Sequence, residues 1–371
     1  MAQGFSLKDQ LFNADTVGAL GASFEAAGVF AAQPFVGEVM DRLPPLELKG
    51  RIAMIAEVLA RHLPPDFPAA VKAIRAALPP PLDPTRGDGD FGQFIHAPLG
   101  VYVEAHGIDD HLDLSLDLLE EITQRFSMEY SIRAFLNRWP EATLARMEHW
   151  ARHPHYHVRR LVSEGTRPRL PWGKGIAIGP DRTLPLLDLL YADPTRFVTR
   201  SVANHLNDIA KTDPDAVLDR LRRWQEEGRQ NPAELDWMTR HALRTLVKAG
   251  HPAALSHLGF ATGTPRAASV AIAPAAPVIG TTAEVTARIV PDADGPLLID
   301  YVIDFVKKSG KTAPRVFKWT RAEGEAGRAI DLRKSHRFVK GATTFTHYPG
   351  DHRLRLQVNG CIVAETRFAL S

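Results

Sequence analysis

Three arginines recur 40 residues apart in the middle of the chain. They are Arg160, Arg200 and Arg240, in the strings VRRL, VTRS and MTRH. A guanidinium group keeps its charge and binds phosphates through paired hydrogen bonds, so a row of such groups suits a polyanionic partner. Each arginine could equally hold the end of a neighbouring helix, and the spacing by itself leaves both interpretations open.

A second polar residue follows each of these arginines four positions later and therefore lies on the same helical face. A carboxylate among such cations either forms an ion pair or acts as a catalytic group, and Glu129, four residues before Arg133, presents the same choice. The pairs are Arg160 with Glu164, Arg200 with Asn204 and Arg240 with Arg244, and Asp208 and Lys248 extend two of these rows by one turn.

A tryptophan and a histidine-rich string hold the other side chains with chemical potential. Trp172 ends the basic loop SEGTRPRLPW, so its indole could stack on a base or a cation, or else fill a gap between helices. The string HPHYH offers His153, His155 and His157 as metal ligands. Because these residues straddle a turn and a helix start, their rings should not converge on one point, and we expect no metal site.

The 40-residue interval extends from the arginines to the elements that carry them. Pro140 and Leu144 match Pro180 and Leu184 at the same spacing. Each unit has the pattern of a proline in the first helical turn, an amphipathic helix, a short turn and a second helix. Two-helix units of about this length are typical of HEAT-like repeats, which stack into a curved solenoid. The second helices, with their arginines, should line its concave face.

The pattern changes after Gly259. An Ala/Pro/Gly-rich segment, residues 261–275, is predicted to be a linker, and alternating apolar residues beyond it predict an immunoglobulin-like sandwich over residues 276–371. We therefore predict a mainly α fold in which a HEAT-like helical-repeat solenoid, residues 1–260, precedes a small all-β domain. The predicted strands include Ala283–Val290, Leu297–Val306, Arg315–Trp319, Thr343–His347, His352–Val358 and Ile362–Phe368.

Charge is distributed unevenly along the chain, although the net charge is only +2. Residues 1–125 carry −9, residues 126–265 carry +5 and residues 266–371 carry +6, which favours polyanion binding by the middle and the end. The single cysteine, Cys361, excludes an internal disulfide and a multi-thiolate metal site. No signal peptide, membrane span, Walker loop, dinucleotide fingerprint, GxSxG or HExxH motif is present. We expect a cytoplasmic, nucleoid-associated monomer that is neither a nucleotide hydrolase, a redox enzyme nor a protease.

Four strings resemble the AlkC family of bacterial alkylpurine DNA glycosylases, namely SMEYSIRAFLNRWPE, HVRRLVSEGTRPRLPWG, RSVANHLNDIAK and TRHALRTLVKAGHP. The resemblance implies a solenoid that binds damaged duplex DNA and releases cationic N-alkylated bases, 3-methyladenine and 3-methylcytosine, without metal or cofactor. It also implies that Glu129, Glu164 and Trp172, with Asp208, form the active site. The alternative is a helical-repeat scaffold that binds nucleic acid without catalysis.

Basic residues in both parts of the chain are expected to contact DNA. In the solenoid they lie on the second helices and the Trp172 loop. In the sandwich they should lie in loops between strands and contact DNA from the side opposite the solenoid, unless that domain is a passive docking module. The expected DNA-binding residues are Arg159, Arg160, Arg167, Arg169, Arg200, Asn204, Arg240, Arg244, Lys248, Lys308, Lys311, Lys334 and Arg337.

Overall fold

The computed structural model describes residues 6–86, 88–260, 264–342 and 345–371. Within these ranges an α-helical region precedes a β-sandwich, as predicted. The helices are α1 Leu7–Leu11, α2 Ala14–Ala26, α3 Ala32–Arg42, α4 Leu48–His62, α5 Phe67–Ala77, a 3-10 helix at Phe94–His96, α6 Ala97–Gly107, α7 Leu112–Thr123, α8 Ile132–Arg138, α9 Pro140–Trp150, α10 Tyr156–Gly165, α11 Pro180–Leu190, α12 Arg196–Ile209, α13 Pro214–Glu227, α14 Pro232–Ala242, α15 Arg244–Ala249 and α16 Pro252–His257. The strands are β1 Ala267–Ala273, β2 Thr282–Val290, β3 Gly295–Val306, β4 Thr312–Gly324, β5 Ile330–Arg337, β6 Gly350–Val358 and β7 Cys361–Leu370. None of the described helices is long and apolar enough to span a membrane.

The two-helix repeat predicted from the 40-residue interval is confirmed. The first helices α9 and α11 begin at prolines, where the missing backbone N–H costs no intrahelical hydrogen bond. The second helices stack on one another, α10 against α12 and α12 against α14. On α12 the apolar residues Val198, Val202 and Leu206, four positions apart, are fully buried and form the packed face. Among the polar residues between them, Arg200 and Asn204 are half-buried and lie four positions apart on the same face of the helix.

The third repeat departs from the predicted pattern at Leu243. The helix α14 ends at Ala242 and α15 begins at Arg244, so Arg240 and Arg244 do not share one helix as expected. Leu243 has φ −87° and ψ 0° and is fully buried, so the chain interrupts the helix while keeping that side chain in the core. Arg244 and Lys248 therefore lie on α15, apart from the row of Arg160 and Arg200 on the second helices.

Two sheets form the sandwich. One has the order β1-β2-β5 and the other β4-β3-β6-β7, and all neighbouring strands are antiparallel. Alternate residues face inwards, so that Val285, Ile299 and Leu356 are fully buried in the core between the sheets. This arrangement agrees with the predicted immunoglobulin-like class.

Three predicted features of this region need correction. Residues 267–273 were predicted as linker but form β1, which pairs with β2. The sequence predicts a loop at Lys334 and Arg337, but both lie on β5, an edge strand whose outward side chains are polar and whose pattern therefore resembles a loop. The strand predicted at Thr343–His347 is absent over residues 345–347, and residues 343–344, like residues 261–263 of the predicted linker, lie outside the described ranges.

The described chain divides into two compact units. One comprises the residues up to Ile209 together with Arg223–Ala242, and the other comprises Ala210–Arg222 together with Leu243–Ser371. The second unit therefore includes α15 and α16, which the predicted boundary at residue 260 assigned to the solenoid. Its helical and β parts meet closely, because a Cβ on Gly250 would lie 2.5 Å from the carbonyl oxygen of Gly360.

Candidate active site

A cavity of about 300 Å³ lies in the first unit. Its wall combines one carboxylate, one guanidinium group and several aromatic rings, which is a suitable lining for a flat cationic ligand. The lining residues are Leu48, Lys49, Ile52, Phe91, Phe94, Ala97, Val101, Phe126, Ser127, Met128, Glu129, Tyr130, Ser131, Arg160, Pro171, Trp172 and Phe197.

Glu129 is the carboxylate of this cavity. It lies in the segment before α8, and its side chain is 26% exposed. One oxygen, Oε2, accepts hydrogen bonds from Ser127 Oγ at 2.8 Å and from Arg160 Nη1 at 2.7 Å. The Arg160 guanidinium also lies 4.6 Å from the ring centroid of Phe197, which fixes its plane. Glu129 is thus oriented by two donors while it remains accessible from the cavity.

Glu164 lies behind Arg160 and is not part of the cavity wall. Its side chain is 7% exposed and accepts hydrogen bonds from Arg167 Nη1 and Ser201 Oγ, both at 2.6 Å, while Arg160 Nη2 lies 3.5 Å away. Burial alone would raise the pKa of Glu164, but the charges of Arg160 and Arg167 and the two hydrogen bonds hold that pKa below its usual value. Arg167 Nε also donates to Asp208 at 2.9 Å. Glu129, Arg160, Glu164, Arg167 and Asp208 therefore form one continuous chain of alternating charges.

Trp172 rims the cavity and is the most exposed large hydrophobic residue of the described chain, at 61%. Its backbone has φ 64°, a left-handed conformation that costs a non-glycine residue roughly 1–2 kcal/mol. Two side chains donate to its carbonyl oxygen: Lys49 Nζ at 2.8 Å and the Tyr130 hydroxyl. The indole position therefore depends on contacts from α4 and from the segment before α8.

Arg133 holds the remainder of the Trp172 loop. It does not pair with Glu129, the partner considered from sequence, but donates to the backbone carbonyls of Gly165 at 2.9 Å, of Arg167 at 2.8 Å and of Lys174. Burial lowers its pKa from the usual arginine value. The side chain thus links both ends of the loop to α8.

The predicted row of arginines is brought together only in part. Arg159 is engaged structurally, because its Nε lies 2.5 Å from Asp193 and its Nη1 donates to the carbonyls of residues 153 and 154. Arg200 pairs with Asp88 of the N-terminal region, and Arg240 pairs with Asp236 on its own helix. Asn204 accepts a hydrogen bond from His241 at 2.8 Å when the ring nitrogen is protonated. In contrast, Arg169 on the Trp172 loop is exposed and forms no side-chain hydrogen bond or ion pair within the described ranges.

The basic residues expected to bind DNA from the second unit are mostly accessible. Lys308 and Lys311 are exposed in the turn between β3 and β4, and Arg337 is exposed at the end of β5. Lys334 is half-buried, and its ammonium group donates to the carbonyl of Lys318 at 2.5 Å. Arg244 and Lys248 are exposed on α15.

Comparison with known proteins identifies the family. Residues 106–246 match the family model described as DNA alkylation repair enzyme, and residues 266–371 match the C-terminal Ig-like domain of the uncharacterised protein YhaZ. The chain is 34% identical over 321 residues, 85% of each chain, to the uncharacterized protein YhaZ of Bacillus subtilis (strain 168). It is 32% identical to the alkylpurine DNA glycosylase AlkC of Pseudomonas fluorescens, solved bound to DNA containing an abasic-site analogue. That similarity covers 99% of this chain and 100% of the other, with a TM-score of 0.85.

The chain belongs to the AlkC branch of the DNA alkylation repair family.

Within this family member, sequence reasoning missed the contribution of residues before 106. Phe91, 58% exposed, lines the cavity and contacts Phe197 with ring centroids 5.4 Å apart. Leu48, Lys49 and Ile52 of α4 add a second part of the wall. No local pattern signalled this, because the N-terminal segment meets the repeats only through tertiary packing.

The histidines considered as metal ligands instead hold the loop that carries Phe91. The Nε2 atom of His155 lies 3.0 Å from the carbonyl oxygen of Leu82, and that of His157 lies 2.9 Å from the carbonyl oxygen of Asp90. Burial lowers the pKa of His157 to about 4, so the neutral ring donates this hydrogen bond near neutral pH. Within the described ranges no three histidine, cysteine, aspartate or glutamate side chains are grouped to hold a metal ion.

Proposed function

We propose that this protein is a DNA glycosylase that releases cationic N-alkylated bases, among them 3-methyladenine and 3-methylcytosine, from duplex DNA. One observation carries the proposal: Glu129, Arg160 and Trp172 line a single cavity, with Glu129 accessible and oriented. The family relationship supports the same activity, because the AlkC relative is an alkylpurine DNA glycosylase bound to DNA in its solved structure.

The proposed chemistry follows from the charge of the substrate. Alkylation makes the base cationic, so it leaves as a neutral molecule with the electrons of the N-glycosidic bond, and no proton donor is needed. Positive charge develops on the deoxyribose, and a carboxylate facing the sugar stabilises this charge. Glu129 can then accept a proton from the water that attacks the anomeric carbon. The Trp172 indole offers its π face to the cationic base before departure.

The other two carboxylates have a different role in this proposal. Glu164 and Asp208 are nearly sealed from solvent; Glu164 binds both Arg160 and Arg167, and Asp208 binds Arg167. We assign both as positioning residues, which hold Arg160 so that it orients Glu129.

The proposed partner is duplex DNA containing alkylated bases, bound by a monomer without metal or cofactor in the cytoplasm. Arg169 is available to a phosphate, and Arg200 becomes available when a phosphate replaces Asp88. In the second unit Lys308, Lys311 and Arg337 are exposed and basic. Arg159 is left out of this set, because Asp193 already occupies its guanidinium group.

A base-release assay on methylated duplex DNA tests the function. Glu129→Gln should lower the single-turnover rate by about 10²–10³, the typical loss for one electrostatic contact to a transition state, while DNA binding remains. Glu148→Gln is the matched control, because Glu148 is an exposed glutamate on α9 outside the cavity. Binding of methylated duplex by the wild-type protein without any base release would instead identify a non-catalytic scaffold.

A further inference from the structure

The strained backbone of Trp172 is held from outside its own loop. A bulky residue with φ 64° reverts readily to negative φ unless its surroundings fix it. The contacts of Arg133 act on residues 165, 167 and 174 and leave the carbonyl of Trp172 itself to other donors. These donors are Lys49 Nζ, at 2.8 Å, and the Tyr130 hydroxyl.

The environment of Lys49 is unusual for a lysine. Within the described ranges its ammonium group forms no ion pair, and its contacts are the carbonyl of Trp172 and the face of the Tyr130 ring, 5.6 Å from the centroid. Lys49 and Tyr130 both line the cavity, so the two donors act at the rim beside the indole. Lys49 lies on α4, outside residues 106–246 matched by the DNA alkylation repair model.

We propose that Lys49 and Tyr130 are positioning residues that hold Trp172 in its left-handed conformation and thereby keep the indole at the cavity rim. This inference rests on the proposed glycosylase function. It assigns the N-terminal helices a direct part in the active site, since α4 supplies one of the two donors. Loss of both donors lets the backbone relax and moves the ring away from the base.

The test uses the full chain with Lys49→Met, Tyr130→Phe and the double variant. The single-turnover rate of base release at saturating protein should fall about tenfold to a hundredfold in the double variant, the range expected when an active-site group is displaced. The Kd for duplex carrying an abasic-site analogue should stay within about twofold, since no phosphate contact is lost. Lys49→Arg keeps an N–H donor and should restore most of the rate.

Lys174→Met is the matched control. Lys174 lies two residues after Trp172 and pairs with Glu104, but its side chain does not contact the Trp172 carbonyl. Its rate should equal that of the wild type. An equal loss in Lys174→Met would show that general loosening of the loop explains the effect and would overturn the proposal.

A double-mutant cycle separates action through Trp172 from direct contact. In a Trp172→Ala background the loss of both donors should cause no further fall in rate, whereas an additive fall would refute the proposal. A different result would identify Lys49 as a phosphate contact and would also refute the proposal. In that case Lys49→Met weakens DNA binding, reduces the slope of log K against log salt by about one, and leaves the rate of base release at saturating protein unchanged.

Fluorescence gives a readout that does not depend on catalysis. The signal of Trp172 is the difference between wild-type protein and Trp172→Phe, and its quenching by acrylamide should change when both donors are removed. An unchanged signal would refute the positioning role. If the wild-type protein releases no base, the proposed function is wrong, and the quenching result alone decides whether the two donors hold the indole.

Discussion

Replacing Glu164 by glutamine tests whether this carboxylate acts on the substrate or through Arg160. Removing one partner of a buried ion pair costs about 3–5 kcal/mol when the other charge is left unpaired. Here Arg160 keeps Glu129, Arg167 keeps Asp208, and the glutamine still accepts one hydrogen bond. We therefore expect the free energy of unfolding to fall by about 2–3 kcal/mol, below the full penalty.

The effect of this substitution on catalysis should be smaller than its effect on stability. Glu164 lies outside the cavity wall, so we expect the single-turnover rate to fall only about tenfold as Arg160 loses one of its two carboxylate partners. Glu129→Gln should show the opposite pattern, a large loss of rate with a small loss of stability. Its free energy of unfolding should fall by about 1 kcal/mol or less, because the Glu129 side chain is partly exposed. The free energy of unfolding is measured by urea unfolding monitored by circular dichroism. The single-turnover rate is measured by base release under conditions in which both variants remain folded.

The acid dependence of stability adds a second check on Glu164. Its pKa is held below the usual glutamate value of 4.5, so its stabilising contribution is present above that pH and is lost as the pH falls through the lower folded-state pKa. The stability gap between wild-type protein and Glu164→Gln should therefore narrow in acid. A thousandfold loss of rate in a folded Glu164→Gln protein, with Glu129→Gln near wild-type activity, would reverse the two assignments and refute the reasoning.

Two further predictions follow from side chains described above. Arg169→Ala should reduce the slope of log K against log salt for DNA binding by about one, because Arg169 is exposed and available to a phosphate. Arg159→Ala should leave that slope unchanged and lower the free energy of unfolding by about 3 kcal/mol, because Asp193 is left buried without its ion-pair partner. Equal slopes for the two variants would contradict this prediction. Because the folded-state pKa of His157 is about 4 and the usual value is 6.5, stability should be lost as the pH falls between these values. The His157→Gln variant keeps an N–H donor for the Asp90 carbonyl. Urea titrations at several pH values should show that its free energy of unfolding depends on pH less steeply than that of the wild type, by up to about 1.4 kcal/mol per pH unit. An unchanged pH dependence would show that the buried neutral ring of His157 does not cause the acid sensitivity.

The helical repeat and the class of the second domain could be predicted from sequence because both rest on local periodicity. The spacing of Arg160, Arg200 and Arg240 marked the second helices, and the alternation in β2 and β6 marked the inward faces of the sandwich. The strand β5 escaped prediction because its outward side chains are charged, and the break at Leu243 has neither glycine nor proline to signal it.

The sequence predicts Glu129, Glu164 and Trp172 as one active-site cluster, and their catalytic roles stay predictions. The structure places Glu129 and Trp172 in the cavity wall and Glu164 outside it, and no local sequence pattern separates the accessible Glu129 from the buried Glu164. That difference depends on Ser201 and Arg167, which approach from other segments. Lys49 and Phe91 belong to the cavity wall through contacts with residues more than 100 positions away in sequence. Lys49 contacts Trp172, and Phe91 contacts Phe197.

The pairing of β1 with β2 has a practical consequence for dissecting this protein. A fragment begun at residue 276 would lack β1 and would leave the backbone N–H and C=O groups of β2 open along one margin of the sheet. Such an unprotected margin recruits strands from other molecules and promotes aggregation. A fragment begun at Leu243 would instead retain both β1 and the contact between Gly250 and Gly360, and it is the natural starting point for isolating the sandwich.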